Sequence, residues 1–316
     1  MKGTRLTISV LVIALIMSAA FVGLDAEPAA AEDEVIHFGY VEWPGVTVKT
    51  EVARTILHEL GYETEMQSYM QEVLFQGMSR GEVDLFMGVW LPTMEVTYRE
   101  HEEAGDIEPI ATNLEEALYA TYVNEEAYEA GVQSMADLHE YGEEFGYEIY
   151  GLEPGNDGNI IIQNAIEDST YNLEDWELVA SSEAGMLSEV DRAQQRGDWI
   201  AFNGWEPHWM NLAYDIKPLE DPENIWGESD EVKTAQRTGF GEEMPNVYKL
   251  MSQIKVETEW QDEWIYEYGY EEREPAEIAE EWVGANLDIV AEWVEGVYAA
   301  DGETPALEAL EESFAE

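Results

Sequence analysis

Beyond residue 34 the apolar positions fall into short runs of strand length and longer stretches at helical spacing. Residues 35–41 read as a strand. Residues 49–60 follow as a helix, with Val52, Ala53, Ile56, Leu57 and Leu60 on one face and Gly61 as its stop. Residues 62–68 form a weaker strand, 71–80 a helix closed by Gly81, and 83–89 a second apolar strand. A second set opens with a strand over 118–123. Ser134 caps a short helix running to Tyr141. Residues 148–152 are a strand, and after a turn at Glu153-Pro-Gly-Asn-Asp-Gly158 a helix opens over 160–166. A strand at 176–180, a helix at 183–196 and a strand at 199–202 complete the set. From Glu242 onward the chain reads as helix-rich. Pro245, Pro275 and Pro305 sit near helix starts, where a missing N–H costs little.

This alternation predicts an α/β fold, and two such sets predict two lobes. Residues 34–112, joined by the returning residues 215–316, form lobe 1, and residues 113–214 form lobe 2. Each lobe is read as a mixed, largely parallel sheet flanked by helices, with a ligand cleft between the lobes. Ligands of such sheets bind beyond the carboxyl ends of the strands. Trp43, Trp90, Tyr119 and Trp205 all fall at or near such ends, the three tryptophans beside Gly and Pro. Rings placed there suit the wall of a pocket better than the middle of a core.

Composition narrows the reading. A chain that is 45% hydrophobic and 11% aromatic is globular. Its 70 acidic against 14 basic residues give a net charge of -56, which repels nucleic acid and anionic membranes. The acidic residues are spread along the whole chain, as on a surface adapted to high salt. Strong salt cuts the Debye length to roughly 3 Å, so long-range attraction of a cation would be screened. The chain has no cysteine, which excludes disulfides, thiol catalysis, Cys-ligated metals and an N-terminal lipid anchor. The histidines show no metal-ligand spacing, and neither a metal nor a cofactor is expected. No phosphate loop, nucleophile elbow or zinc helix motif is present, so a non-enzymatic protein is expected. Residues 1–31 read as an export signal: Lys2 and Arg5, an apolar stretch over 6–24, then Ala29-Ala-Ala31 before Glu32. The mature chain is expected to be periplasmic and monomeric.

Several π faces converging on one point suit a quaternary ammonium, which has no N–H to donate. Each desolvated face contributes roughly 0.5–2 kcal/mol, and micromolar binding needs about 8 kcal/mol. A polar contact at the far end of the ligand should therefore assist. Asn156 and Asp157, in a turn between strand and helix where N–H groups are free, are the candidates. Tyr122 is an alternative to Tyr119. His208 reads as a structural hydrogen-bonding residue, with a ligand carboxylate as its alternative partner. Trp176, Trp199, Trp282 and Trp293 read as core. Trp209, Trp226, Trp260 and Trp264 carry no assigned role.

Four motifs carry a resemblance: Asp84-Leu-Phe-Met-Gly-Val-Trp-Leu-Pro-Thr-Met-Glu95, Ile149-Tyr-Gly-Leu-Glu-Pro-Gly-Asn-Asp-Gly-Asn159, Ser181-Ser-Glu-Ala-Gly-Met-Leu187 and Gly204-Trp-Glu-Pro-His-Trp-Met-Asn211. Together they resemble the substrate-binding proteins of ABC importers for choline and glycine betaine. The resemblance implies a two-lobed periplasmic binding protein, type II-like, that closes on its ligand and serves a permease in the inner membrane. It implies an aromatic box of Trp43, Trp90, Tyr119 and Trp205, with Asn156 at the polar end. Two positions point different ways. Choline binders carry an Asp where this chain has Gly45, whereas Glu95, if turned inward, would oppose a betaine carboxylate. Choline, glycine betaine and carnitine all remain open.

Overall fold

The computed structural model describes residues 35–315; the expected export signal lies outside the described residues. Strands β1 (Ile36–Tyr40), β2 (Thr64–Ser68) and β3 (Leu85–Leu91) form a parallel set with β1 in the middle. The first five residues of β3 are all buried, as befits a strand covered on both faces. A mirror set follows later in the chain. There β5 (Glu148–Gly151) lies parallel to both β6 (Glu177–Ala180) and β7 (Ala201–Glu206).

Two antiparallel strands join the sets. β4 (Ile107–Asn124) is 18 residues long, roughly 60 Å at ~3.4 Å per residue. Its first part pairs with β9 (Asp230–Arg237), which pairs in turn with β3. From Leu118 to Val123 it pairs with β7, and its end also takes β8 (Ile216–Pro218). The full order is β2-β1-β3-β9-β4-β7-β5-β6. The expected strand at 118–123 is thus only the second half of β4.

Helix α1 (Pro44–Glu59) starts at Pro44 rather than at residue 49, because proline's fixed φ suits the first helical position. The expected apolar face is buried, and the longer helix adds Gly45 one turn before Lys49. α2 (Gln71–Ser79) matches its expected place. α3 (Glu95–Ala104) was not expected: it is acidic and buries only Tyr98. Ser134 caps a 3₁₀ turn over Met135–Glu140 in a capping box with Asp137. The helix Asp157–Glu167 opens ahead of residue 160 because Asn156 caps it. The C-terminal helices include Pro245–Gln253, Thr258–Ile265 and Pro275–Ala285.

Two large hydrophobic clusters result, with a small one of Leu114, Ala117 and Val232 beside Trp90. The first gathers β1–β3, α1 and the C-terminal helices; the second gathers the end of β4 with β5–β7, and includes Ile216, Leu219 and Trp226. In the first, Trp282 and Trp293 stack at 5.5 Å and Trp264 meets Trp282 edge-on at 4.9 Å. Trp260 packs there too, 5.6 Å from Trp282. In the second, Trp176 is buried and Trp199, half-buried, leans on Phe145 at 5.4 Å. Trp282→Ala should cost about 3–5 kcal/mol of unfolding free energy, read from denaturant melts. A loss below about 1 kcal/mol would contradict its place at the centre of that cluster.

Candidate functional site

The cavity is built at the junction of the two clusters. Three residues past the end of β1, Trp43 stands at the start of α1, where its carbonyl accepts the Thr47 N–H (3.0 Å) and hydroxyl (2.8 Å). Trp90 closes β3 with Leu91, and the turn behind it is tied down at Thr93. That residue's N–H and hydroxyl both donate to Asp230 at 2.8 Å, one to each carboxylate oxygen. Tyr119 and Trp205 are direct cross-strand partners between β4 and β7. Their rings meet edge-to-face with centroids 5.8 Å apart, and Tyr119 meets Trp90 likewise at 6.3 Å. Trp43, Trp90, Tyr119 and Trp205 all line one cavity of about 570 Å³, counting its mouth.

Asn156 and Asp157 line the same cavity, so the structure brings all six expected site residues together. Asn156 is already engaged. Its Oδ1 accepts the Gly158 N–H at 2.9 Å and the Tyr119 hydroxyl at 3.2 Å, and its Nδ2 donates to Glu153 at 3.3 Å. Burial pushes the Tyr119 hydroxyl pKa up, so it stays protonated and donates. A Cβ at position 158 would strike that hydroxyl, which is why glycine follows Asp157. Tyr122, three residues on, points to the other side of β4 and bonds Glu206 at 3.1 Å. Trp226 backs the site: its ring lies 4.9 Å from that of Tyr119 and its Nε1 donates to Thr121 at 3.1 Å.

His208 does not line the cavity. Its Nδ1 accepts the Met210 N–H at 3.1 Å, which leaves Nε2 to donate to Glu183, also at 3.1 Å. Glu95 is half-exposed and pairs with Arg99 in α3, away from the cavity. Residues not singled out in the sequence also form the wall, among them Lys49, Thr93, Met94 and Gln261. The helical period of α1 places Lys49 on the same side as Gly45, a signal visible only once the helix is known to begin at Pro44. Gln261 comes from the acidic C-terminal region and had no local signal.

The family described as the substrate binding domain of the ABC-type glycine betaine transport system, OpuAC, matches residues 34–285. The chain belongs to this family. The glycine betaine/carnitine transport binding protein GbuC of Listeria monocytogenes serotype 1/2a (strain 10403S) is 34% identical over 162 residues, which are 51% of this chain and 54% of that protein. The match thus spans about half the length of that relative. Among solved structures, an ABC-transporter choline binding protein in complex with choline superposes with a TM-score of 0.86 at 33% identity, over 89% of this chain and 98% of that one. Lactococcal OpuAC, closed and complexed with glycine betaine, gives 0.76 at 26% identity, over 83% and 99%. The α/β fold expected from the alternating pattern, in the binding-protein form that the resemblance implies, is therefore the fold of this chain.

Asp157 also links the two halves of this family member. It belongs to the β5–β7 half, yet Gln71 of α2 donates to one of its oxygens and Thr97 of α3 donates to the other at 2.5 Å. Burial is the main cause that raises its pKa from 3.8 to about 6, with the nearby Glu153 carboxylate adding to it. A raised carboxyl pKa means that the folded form prefers the proton. Its stabilisation is complete below about pH 3.8 and is lost as pH rises through about 6. The shift corresponds to about 3 kcal/mol. Urea melts from about pH 4 to 7 should therefore show wild type losing about 3 kcal/mol relative to Asp157→Asn. A pH-independent difference would remove Asp157 as the titrating group.

Proposed function

We propose that this protein is the extracytoplasmic substrate-binding subunit of an ABC importer, and that it captures a quaternary ammonium solute of the choline and betaine class. The observation that carries this reading is the convergence of four rings, each from a separate stretch of chain, on one cavity. Trp43, Trp90, Tyr119 and Trp205 enclose the methylated nitrogen, and Asn156 and Asp157 stand towards the polar end. Aromatic faces attract the diffuse charge and bury the methyl groups, a combination that a carboxylate cannot offer.

Binding brings two lobes together by a hinge. One is residues 34–112 with the C-terminal helices, and the other starts near 113. Because Ile216, Leu219 and Trp226 pack in the second cluster, the return to the first lobe is drawn at β9 rather than at 215. Asp157, held by Gln71 and Thr97 from the other side, favours the closed form. The closed protein, a monomer without enzymatic activity, delivers its solute to a permease of the inner membrane, and the export signal places it in the periplasm. The even acidic surface suits a strongly saline medium.

Titration with choline, glycine betaine and carnitine, followed by tryptophan fluorescence, tests the reading directly. At least one should bind at micromolar to low millimolar concentration, and silence towards all three would end it. Trp205→Ala should cost about 2 kcal/mol or more of binding free energy, the sum of a desolvated cation–π contact and lost methyl burial. Unchanged affinity would place the cage elsewhere.

A further inference from the structure

Trp209, which carried no role in the sequence, reaches across the seam between the two halves. It follows the cage residue Trp205 by four positions and does not line the cavity. The loop between the two rings is stiff. Asn211 Nδ2 donates to the carbonyls of Trp205 and His208 at 2.9 and 3.0 Å. The His208 ring, held at its two nitrogens by Met210 and Glu183, stands 4.8 Å from that of Trp205 and 5.3 Å from that of Trp209. Cage ring and outer ring therefore move as one piece.

The far side of the seam belongs to the first half. The helix Thr258–Ile265, which carries the cavity residue Gln261, runs on into a π turn over Tyr266–Tyr270, where the Glu271 N–H donates to the Tyr266 carbonyl at 3.0 Å. Such turns are rare and tend to mark functional places. Arg273 braces this one, pairing with Glu267 inside it and with Glu281 of helix Pro275–Ala285 at 2.8 Å. At Gly269 the turn meets Trp209. A Cβ there would lie 2.5 Å from both Cδ1 and Nε1 of the indole and 3.3 Å from Pro44 at the start of α1. Gly269 has no positive φ, so its backbone does not call for glycine, and alanine would favour a helical turn more. What requires glycine is the close approach of the ring. Tyr270, 53% exposed, adds a second ring 5.9 Å from that of Trp209. Trp209 itself is half-buried and borders a wide groove between the halves, so water reaches the contact and it can part.

Resting on the reading that this chain closes on its solute, we propose that Trp209 and Gly269 form a latch. The indole seats on the glycine when the halves close, holds them together without touching the solute, and sets how slowly a bound molecule leaves. Trp209 is thus a positioning residue. Solute enters the open form before the ring is seated, so the latch acts on escape and not on capture. Because the stiff loop ties the indole to Trp205, the seated latch also keeps that cage ring in place.

Stopped-flow fluorescence on the full chain, with choline, glycine betaine and carnitine as probes, reads both rates. The cage tryptophans remain as reporters in every variant. Trp209→Ala should raise the off-rate of the probe that wild type binds best by about tenfold and leave the on-rate within about twofold. Gly269→Ala should do the same, since the added methyl takes the seat of the indole. Its melting temperature should hold or rise, because alanine is the better helix former. In the double variant the two effects should not add, since the methyl has no ring left to displace. An unchanged off-rate in both single variants overturns the latch and leaves the cage reading standing. Effects that add in the double variant overturn it as well, and so does a fall in on-rate with the off-rate unchanged. Failure of wild type to bind any of the three probes overturns the cage reading and the latch together.

Discussion

The site depends on the cross-strand register between β4 and β7. Pairing Tyr119 with Trp205 places two large rings on one face at the point where β4 leaves the β5–β7 set. The same strand continues beside β9, which pairs with β3, and β3 ends in Trp90 and Leu91. Three of the four rings are therefore positioned by one run of backbone hydrogen bonds. A one-residue slip of β4 against β7 would send Tyr119 to the opposite face and dismantle the wall. Glycine at 158 and the carboxamide of Asn156 then fix the Tyr119 hydroxyl, and Trp226 supports its ring from behind.

The joint that Asp157 makes between the two halves is polar where the cavity wall is aromatic. Asp157 sits at the start of a helix, where a negative charge is favoured, and it still prefers its proton because the surroundings exclude water. Its bonds to Gln71 and Thr97 cross from one half to the other. A polar contact of this kind closes and reopens more readily than an apolar interface, since each partner regains water on separation. Binding and release both require that reversibility.

The outline of the fold was legible in the sequence wherever burial and hydropathy coincide. β1, β3, the apolar face of α1, and the helix Glu183–Arg196 are examples. The reading failed where polar residues are buried. β9 buries Asp230, Thr234 and Gln236, so its central position leaves no apolar alternation to find. α3 failed for the opposite reason, since a helix with one buried side chain has almost no apolar face. The tryptophans of the cavity stood out because rings beside Gly and Pro at strand ends are unusual; Tyr119, expected near a strand end, lies inside β4. Lys49 and Gln261 did not stand out. A lysine inside a helical pattern looks like a solvated one, and the glutamine lies in a region rich in charge. Their place in the wall comes from burial, a property of the folded chain.

The charge balance sharpens that point. Only 14 residues are basic against 70 acidic, and seven of the described cations have a carboxylate partner, whereas Arg80 and Lys249 turn to a neutral amide and a backbone carbonyl. The seven are Arg54, Arg99, Arg192, Lys217, Lys233, Arg237 and Arg273. Lys49 is withdrawn from that field altogether and bonded to a neutral amide. Desolvating one of so few cations, without a counterion, opposes folding. The same desolvation strengthens any anion that reaches it, because the low dielectric that penalises a lone charge also magnifies a pair.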